Sequence, residues 1–178
     1  MRTFWYHPES DSYWAEDGVH YGDGLEVELT REEYFAGMLE RFHASSGPYR
    51  VVAFGGRDFS DQTLLDDSLD DFNSQHGIAV LINGRAPGAD LRADAWAKKR
   101  GVETDPHPAR WDDLTQAGAR IVTRANGTKY DAAEGGRRNQ RMIDQGRPDC
   151  GIAFKGGSGT SDMKDRCEIA GIPVFEVK

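Results

Sequence analysis

One stretch constrains this chain more than any other: residues 149–171, Asp-Cys-Gly-Ile-Ala-Phe-Lys-Gly-Gly-Ser-Gly-Thr-Ser-Asp-Met-Lys-Asp-Arg-Cys-Glu-Ile-Ala-Gly. Cys150 to Phe154 is a short apolar run of the kind a buried strand shows. Gly156, Gly157 and Gly159 let the backbone turn sharply and come close to something. Thr160 or Ser161 is expected to cap a helix reaching about Ala170, with Gly171 at its C-terminal stop. A strand, a glycine loop and a helix start aim free N–H groups and the positive end of the helix dipole at one point. That arrangement suits an anion, usually a phosphate. The same residues also suit an ordinary strand-to-helix turn, so the other loops must shift the balance.

The pattern recurs along the chain. Arg50 to Phe54 reads as a buried strand, followed by Gly55-Gly56-Arg57-Asp58-Phe59. Ser60 is expected to cap a helix with the stripe Leu64, Leu65, Leu69 and Phe72, a solvated acidic face at Asp66, Asp67, Asp70 and Asp71, and Gly77 as its end. Ile78 to Asn83 is a second strand, then Gly84-Arg85-Ala86-Pro87-Gly88-Ala89-Asp90 leads into an alanine-rich helix ending at Arg100-Gly101. Ala89, Ala93 and Ala97 would let that helix lie close to a sheet. Residues 102–107 read as a more polar third strand, 137–145 as a helix, and Pro173 to Val177 as a last strand. Five strands alternating with helices imply an α/β fold: a doubly wound parallel sheet with right-handed crossovers.

Two segments stand outside this alternation. Residues 108–136 are irregular, with Trp111 as an anchor and a hairpin whose Asn126-Gly127 signals a two-residue type I′ turn. The hairpin reads as a decorative insertion, or else as a flap over the site or an arm that pairs across a dimer. Residues 1–48 mix aromatics (Phe4, Trp5, Tyr6, Tyr13, Trp14, Tyr21) with turn signals at Asp17-Gly18 and Gly22-Asp23-Gly24, which suggests short strands. Thr30 and Glu33 resemble a capping box ahead of Tyr34, Met38, Leu39 and Phe42 on one helical face. The first 49 residues carry ten acids against three bases, the remainder twenty acids against nineteen bases. That step places a boundary near Gly47-Pro48. An acidic α+β appendage (1–48), packed on the main domain or serving as a lid or partner-binding module, would precede a main domain (49–178).

Charge and composition narrow the function classes. The net charge of −8 opposes non-specific nucleic-acid binding. No apolar run approaches the roughly 18 residues a membrane helix needs, and the start lacks a signal-peptide pattern. A cytoplasmic, reducing setting is expected, with Cys150 and Cys167 as packing residues. His7, His20 and His43 lack metal-ligand spacing, so no metal and no cofactor are expected. In a doubly wound sheet the ligand lies outside the carboxyl ends of the strands, near the switch in strand order. The loops there hold Gly55, Gly56 and Arg57; Gly84 and Gly88; Arg138 and Asn139; and Gly156 to Thr160 with Ser158. Gly157 to Thr160 would hold a phosphate, with Arg57 and Arg138 supplying bidentate contacts. Asp90 would take ribose hydroxyls or cap its helix, Asp58 could pair with Arg57, and Asp162 would complement its helix dipole. Neither the dinucleotide Gly-x-Gly-x-x-Gly nor a P-loop lysine is present.

Four motifs carry a resemblance: Gly55-Gly56-Arg57-Asp58; Gly88-Ala89-Asp90 with Ala93, Trp96 and Ala97; Arg138-Asn139 with Met142; and Phe154-x-Gly156-Gly157-x-Gly159-Thr160-x-Asp162-Met163. Residues 51–177 resemble the YspA-like family of the SLOG superfamily, the Rossmann-like group that includes the Lonely-guy phosphoribohydrolases and DprA. The resemblance implies a crevice for nucleotides or nucleotide-derived molecules, often in a homodimer. The Lonely-guy signature is Gly-Gly-x-Gly-Thr-x-x-Glu, with a catalytic glutamate. Met163 stands at that position here, and a thioether neither stabilises an oxocarbenium ion nor activates water.

Three functions follow in order of expectation. The first is a binding protein, sensor or sequestering, for a ligand of the ADP-ribose or nucleoside-phosphate class. The second is an N-glycosidic hydrolase using Asp58, Asp90 or Asp162. The third is an interaction protein whose glycine loops are only turns. A small acidic appendage on this family would suit a phage or mobile-element accessory protein.

Overall fold

Alternate residues of the central strands face opposite layers of helix, which is why those strands read as unbroken apolar runs. In the computed structural model, which describes residues 2–18 and 24–178, strand β4 (Tyr49–Phe54) turns Val51 and Ala53 to one face and Val52 and Phe54 to the other. It pairs in parallel with β5 (Ile78–Asn83) on one side and β9 (Cys150–Ala153) on the other. Adding β6 (Glu103–Pro106) and β10 (Val174–Glu176) gives a five-stranded parallel sheet in the order β10-β9-β4-β5-β6. Helices α2 (Gln62–His76) and α3 (Ala89–Arg100) cover the face of Val51 and Leu81. Helices α4 (Glu134–Asp144) and α5 (Ser158–Ile169) cover the face of Val52 and Ile82. The fold is therefore Rossmann-like, as the alternation implies. Ala89, Ala93 and Ala97 are buried against the sheet, and Cys150 and Cys167 are buried free thiols in the two layers.

Several local expectations are corrected. Asp61, not Ser60, caps α2, its carboxylate accepting the Leu64 N–H at 2.9 Å. Leu64 is only half-buried, because the stripe runs through Leu65, Leu69 and Phe72. Asp70 is not merely solvated: it accepts from Trp96 Nε1 at 3.0 Å and pairs with Arg100, joining α2 to α3. Helix α5 starts at Ser158, so Thr160 and Ser161 lie inside its first turn and cap nothing. Helix α4 begins three residues earlier than expected and includes Gly135 and Gly136, whose bare Cα atoms leave room for Trp111 and Arg166. The hairpin, β7 (Ile121–Thr123) and β8 (Lys129–Asp131), does not close on a type I′ turn. Such a turn needs two positive φ angles, and only Gly127 has one, at 81°. A hydrogen bond from Gly127 N–H to Arg124 C=O and one from Arg124 N–H to Thr128 C=O define a longer loop ending in a left-handed glycine.

Residues 2–18 and 24–48 contribute a small α+β unit. Strands β1 (Arg2–His7), β2 (Ser12–Asp17) and β3 (Val27–Leu29) make an antiparallel sheet, order β2-β1-β3, on helix α1 (Arg31–Ala44). The Thr30–Glu33 capping box is present. Phe4, Ala15, Tyr34 and Met38 form its core, whereas Leu39, expected on the same face, is exposed. The expected features at His20, Tyr21 and Gly22-Asp23 lie outside the described residues. The unit docks on the C-terminal end of α5, where Tyr34 donates to the Glu168 carbonyl and Arg31 and Arg2 pair with the Glu168 carboxylate. Phe42 reaches into the main core and stacks on Tyr49 with ring centroids 4.6 Å apart.

Candidate functional site

The strand order decides where the loops meet. From β4 the chain crosses to β5 on one side, and β9 lies on the other, so the loops after β4 and β9 run side by side at the switch point. Gly56 N–H donates to the Lys155 carbonyl at 3.0 Å. A Cβ on Gly56 would fall 2.9 Å from that oxygen and 3.1 Å from the Gly156 Cα, so only glycine permits this approach. The result is a cleft of about 580 Å3 at the carboxyl end of the sheet.

Gly55, Gly56, Arg57, Asp58, Asp90, Arg138, Asn139, Gly157, Ser158, Gly159, Thr160 and Asp162, all singled out from the sequence, line this cleft. Gly84, Gly88 and Gly156 do not. Their place is between loops: a Cβ on Gly84 would strike Arg138, one on Gly88 the Gly56 carbonyl, and one on Gly156 the Thr160 hydroxyl. Gly88 also holds a φ of 82° that side-chain-bearing residues avoid. Met163 is buried in the floor with Phe54 and Met142. Trp111, Gly135 and Gly136 line the cleft without having been expected there; their segment carries no periodic signal, and only the tertiary fold brings it to the site.

The first turn of α5 has the geometry of an anion site. Thr160 N–H and Ser161 N–H bond back to the Gly157 carbonyl at 3.0 and 3.1 Å. The amides of Gly157, Ser158 and Gly159 have no bond to the described protein. Thr160 is 94 % buried by virtue of a 6 % exposure, and its Oγ1 has no hydrogen-bond partner. An added Cβ at Gly157 or Gly159 would meet no protein atom.

The charged residues around this turn are unequal. Arg138, on α4, donates through Nη1 to the Gly84 carbonyl at 2.7 Å and to Asp90 at 3.3 Å, and through Nε to Asn139 at 2.9 Å. Nη2 has no hydrogen-bond or ion-pair partner among the described residues. Asp90 is committed to its loop: Oδ2 accepts the N–H groups of Gly84 at 3.0 Å and Ala86 at 3.4 Å, besides Arg138. It does not cap its helix as expected: Gly88 is the N-cap of α3, no side chain caps it, and Asp90 lies inside the first turn and ties down the loop before it. Burial raises the Asp90 pKa, against the pull of Arg138 and the loop amides. Asp162 receives a two-pronged contact from Arg166 at 2.8 and 2.9 Å and one from Asn139 at 2.7 Å. Partial burial pushes its pKa up, but those hydrogen bonds together outweigh burial and hold it below the ordinary value. Arg57 lies 5.2 Å over the Trp111 ring and makes no ion pair with Asp58. Asp58 is exposed at the rim with no hydrogen-bond or ion-pair partner among the described residues.

No described residue of the 2–48 unit lines the cleft. Its anchor, Glu168, stands ten residues along α5 from Ser158, about 15 Å at the helical rise. Residues 108–137 do reach it. They are held by Glu134, which is fully buried and accepts from Arg110 N–H at 2.8 Å, Gln116 at 3.2 Å and Arg141 at 2.5 Å. Among the described residues no cluster of His, Cys, Asp and Glu is arranged to hold a metal ion, and no helix is long and apolar enough to cross a membrane.

Comparison with known proteins agrees with this architecture. The model of the YspA, cpYpsA-related SLOG family matches residues 49–113. The Gene 61 protein of Mycobacterium phage D29 is 33 % identical over 135 residues, covering 71 % of this chain and 94 % of that protein. No solved structure matches the chain significantly.

Proposed function

The chain belongs to the YspA, cpYpsA-related SLOG family, and from that premise we propose that it binds a nucleotide or nucleotide-derived ligand through a phosphate group, as a sensor or sequestering protein. The observation that carries this reading is the Thr160 hydroxyl, buried without a partner in the helical turn that opens with three unbonded amides. A buried hydroxyl left unpaired costs about 1–3 kcal/mol, and a phosphate oxygen relieves that cost. The helix-end contact supplies about 0.3–1 kcal/mol, up to about 2 when partly buried. Micromolar affinity needs about −8 kcal/mol. The Arg138 Nη2 group, Arg57 and burial of the nucleoside against Trp111, Phe54 and Met142 have to supply the balance. The setting proposed is a phage accessory protein, in keeping with the phage relative, acting as a homodimer.

A mass-balance experiment tests this. Purified protein is incubated with nucleoside monophosphates, ADP-ribose, NAD and cyclic nucleotides, filtered, and both fractions are identified by mass spectrometry. Retained, unchanged nucleotide is the expected result; retention of nothing sinks the reading. Sedimentation velocity at working concentration tests the dimer.

A second reading, N-glycosidic hydrolysis, rests on Asp58. Asp90 and Asp162 are tied to protein donors and Met163 replaces the Lonely-guy glutamate, so Asp58 is the cleft carboxylate left to act on water. Free base in the filtrate, abolished by Asp58→Asn with binding retained, would establish it.

A further inference from the structure

Beside the cleft lies a second basin of about 740 Å3. Its wall carries five arginines, Arg57, Arg85, Arg120, Arg124 and Arg138, and no acidic residue among those described. Arg85 and Arg138 are ion-paired, with the buried Asp94 and Asp90 respectively. The guanidinium groups of Arg57, Arg120 and Arg124 make no ion pair among the described residues, although the Arg120 N–H donates to Asp131. Arg124 lies 4.3 Å over the Tyr130 ring, as Arg57 lies over Trp111. Two acids of the same segment, Asp131 and Glu134, are buried and paired with Arg137 and Arg141, and Asp113 accepts from Thr115.

A chain of net charge −8 thus gathers guanidinium groups in one concave place. Like charges so gathered repel one another unless an anion joins them. Arginine forks match phosphate oxygens in geometry as well as charge. The basin is continuous with the cleft, since Arg57, Ala86, Trp111 and Arg138 line both.

Resting on the nucleotide reading above, we propose that this basin receives a second phosphoryl group of the same ligand. The preferred ligand is then a nucleotide with at least two phosphates, along a polyphosphate chain or bridging to a second nucleoside, and not a monophosphate. Arg120, Arg124 and Tyr130 belong to the hairpin segment, so that insertion is the specificity-determining element of the site.

Titration calorimetry at fixed ionic strength tests the proposal with AMP, ATP, ADP-ribose and sodium tripolyphosphate. The proteins are the wild type, the double variant Arg120→Ala/Arg124→Ala, and Gly157→Asp. ATP or ADP-ribose is expected to bind at least about tenfold more tightly than AMP. The double variant should lose about tenfold to a hundredfold for that ligand and bind AMP unchanged. The larger loss, for ATP or for ADP-ribose, tells a phosphate chain from a second nucleoside. Gly157→Asp should weaken all three nucleotides. If AMP binds in a Gly157-dependent way but the arginine variant changes no affinity, the second subsite is refuted and the first reading stands. If no nucleotide binds, both fall, even where tripolyphosphate still binds through Arg120 and Arg124.

Discussion

Replacing Thr160 with valine should raise the stability of the free protein and weaken nucleotide binding, two effects of opposite sign from one atom. Valine keeps the shape of threonine and has a similar helix propensity, so the exchange removes little but the hydroxyl. That hydroxyl is buried without a partner in the free protein, and an unsatisfied buried group costs about 1–3 kcal/mol. Taking the lower end, Thr160→Val gains about 1 kcal/mol, which for a chain of this length raises Tm by roughly 2–4 °C. In the complex the same oxygen would donate to a charged phosphate. Losing that bond costs about 1.5–3 kcal/mol, a factor of about ten to a hundred in Kd. Thermal unfolding without ligand, followed by a titration with the nucleotide retained in the mass-balance experiment, measures both. A variant that melts lower than wild type by about 2 °C or more, or that binds as tightly, refutes the assignment of Thr160 as a phosphate donor.

Three further outcomes are expected. Gly88→Ala should destabilise the fold by about 2 kcal/mol or more in urea, because the φ of 82° is strained for alanine and its Cβ meets the Gly56 carbonyl. Stability should fall in acid partly through Asp162: its native pKa is depressed, so its contribution is present above the unfolded value of about 3.9 and is lost as pH falls through the lower native value. The urea midpoint of Asp162→Asn should therefore change less between pH 5 and pH 3 (roughly that window) than that of the wild type. Glu134→Ala strips the buried acceptor from Arg141, Arg110 N–H and Gln116; about 3–5 kcal/mol should be lost, and limited proteolysis should cut first within residues 108–133.

Much of the fold could be read from the chain because its signals are local. Largely apolar runs at 50–54, 78–83 and 150–154, each followed within two residues by glycine, mark strands buried on both faces, whatever their neighbours. The Thr30–Glu33 capping box and the αL stop at Gly101 are likewise properties of a few adjacent residues. Helix starts were less legible. Asp61 rather than Ser60 caps α2, and α4 extends back through Gly135-Gly136, because packing on Trp111 and Arg166 overrides the low helix propensity of glycine.

The sequence by itself thus determined the alternation of strand and helix, the glycine loops at the strand ends and the family to which the chain belongs. Only the tertiary structure decided which residues those loops offer a ligand. The order β10-β9-β4-β5-β6 lays the loops after β4 and β9 against each other. Local bonds to the Gly84 and Ala86 amides and to Arg166, joined by contacts from Arg138 and Asn139 on α4, commit Asp90 and Asp162, while the Thr160 hydroxyl and three amides stay unbonded among the described residues. The arginine basin has the same origin. Arg57, Arg85, Arg120, Arg124 and Arg138 are scattered along the chain and become one charged surface when Glu134 and Asp131 draw residues 108–137 beside the sheet. Pattern and propensity act over a few residues; a site is an arrangement of distances in space, and packing sets those.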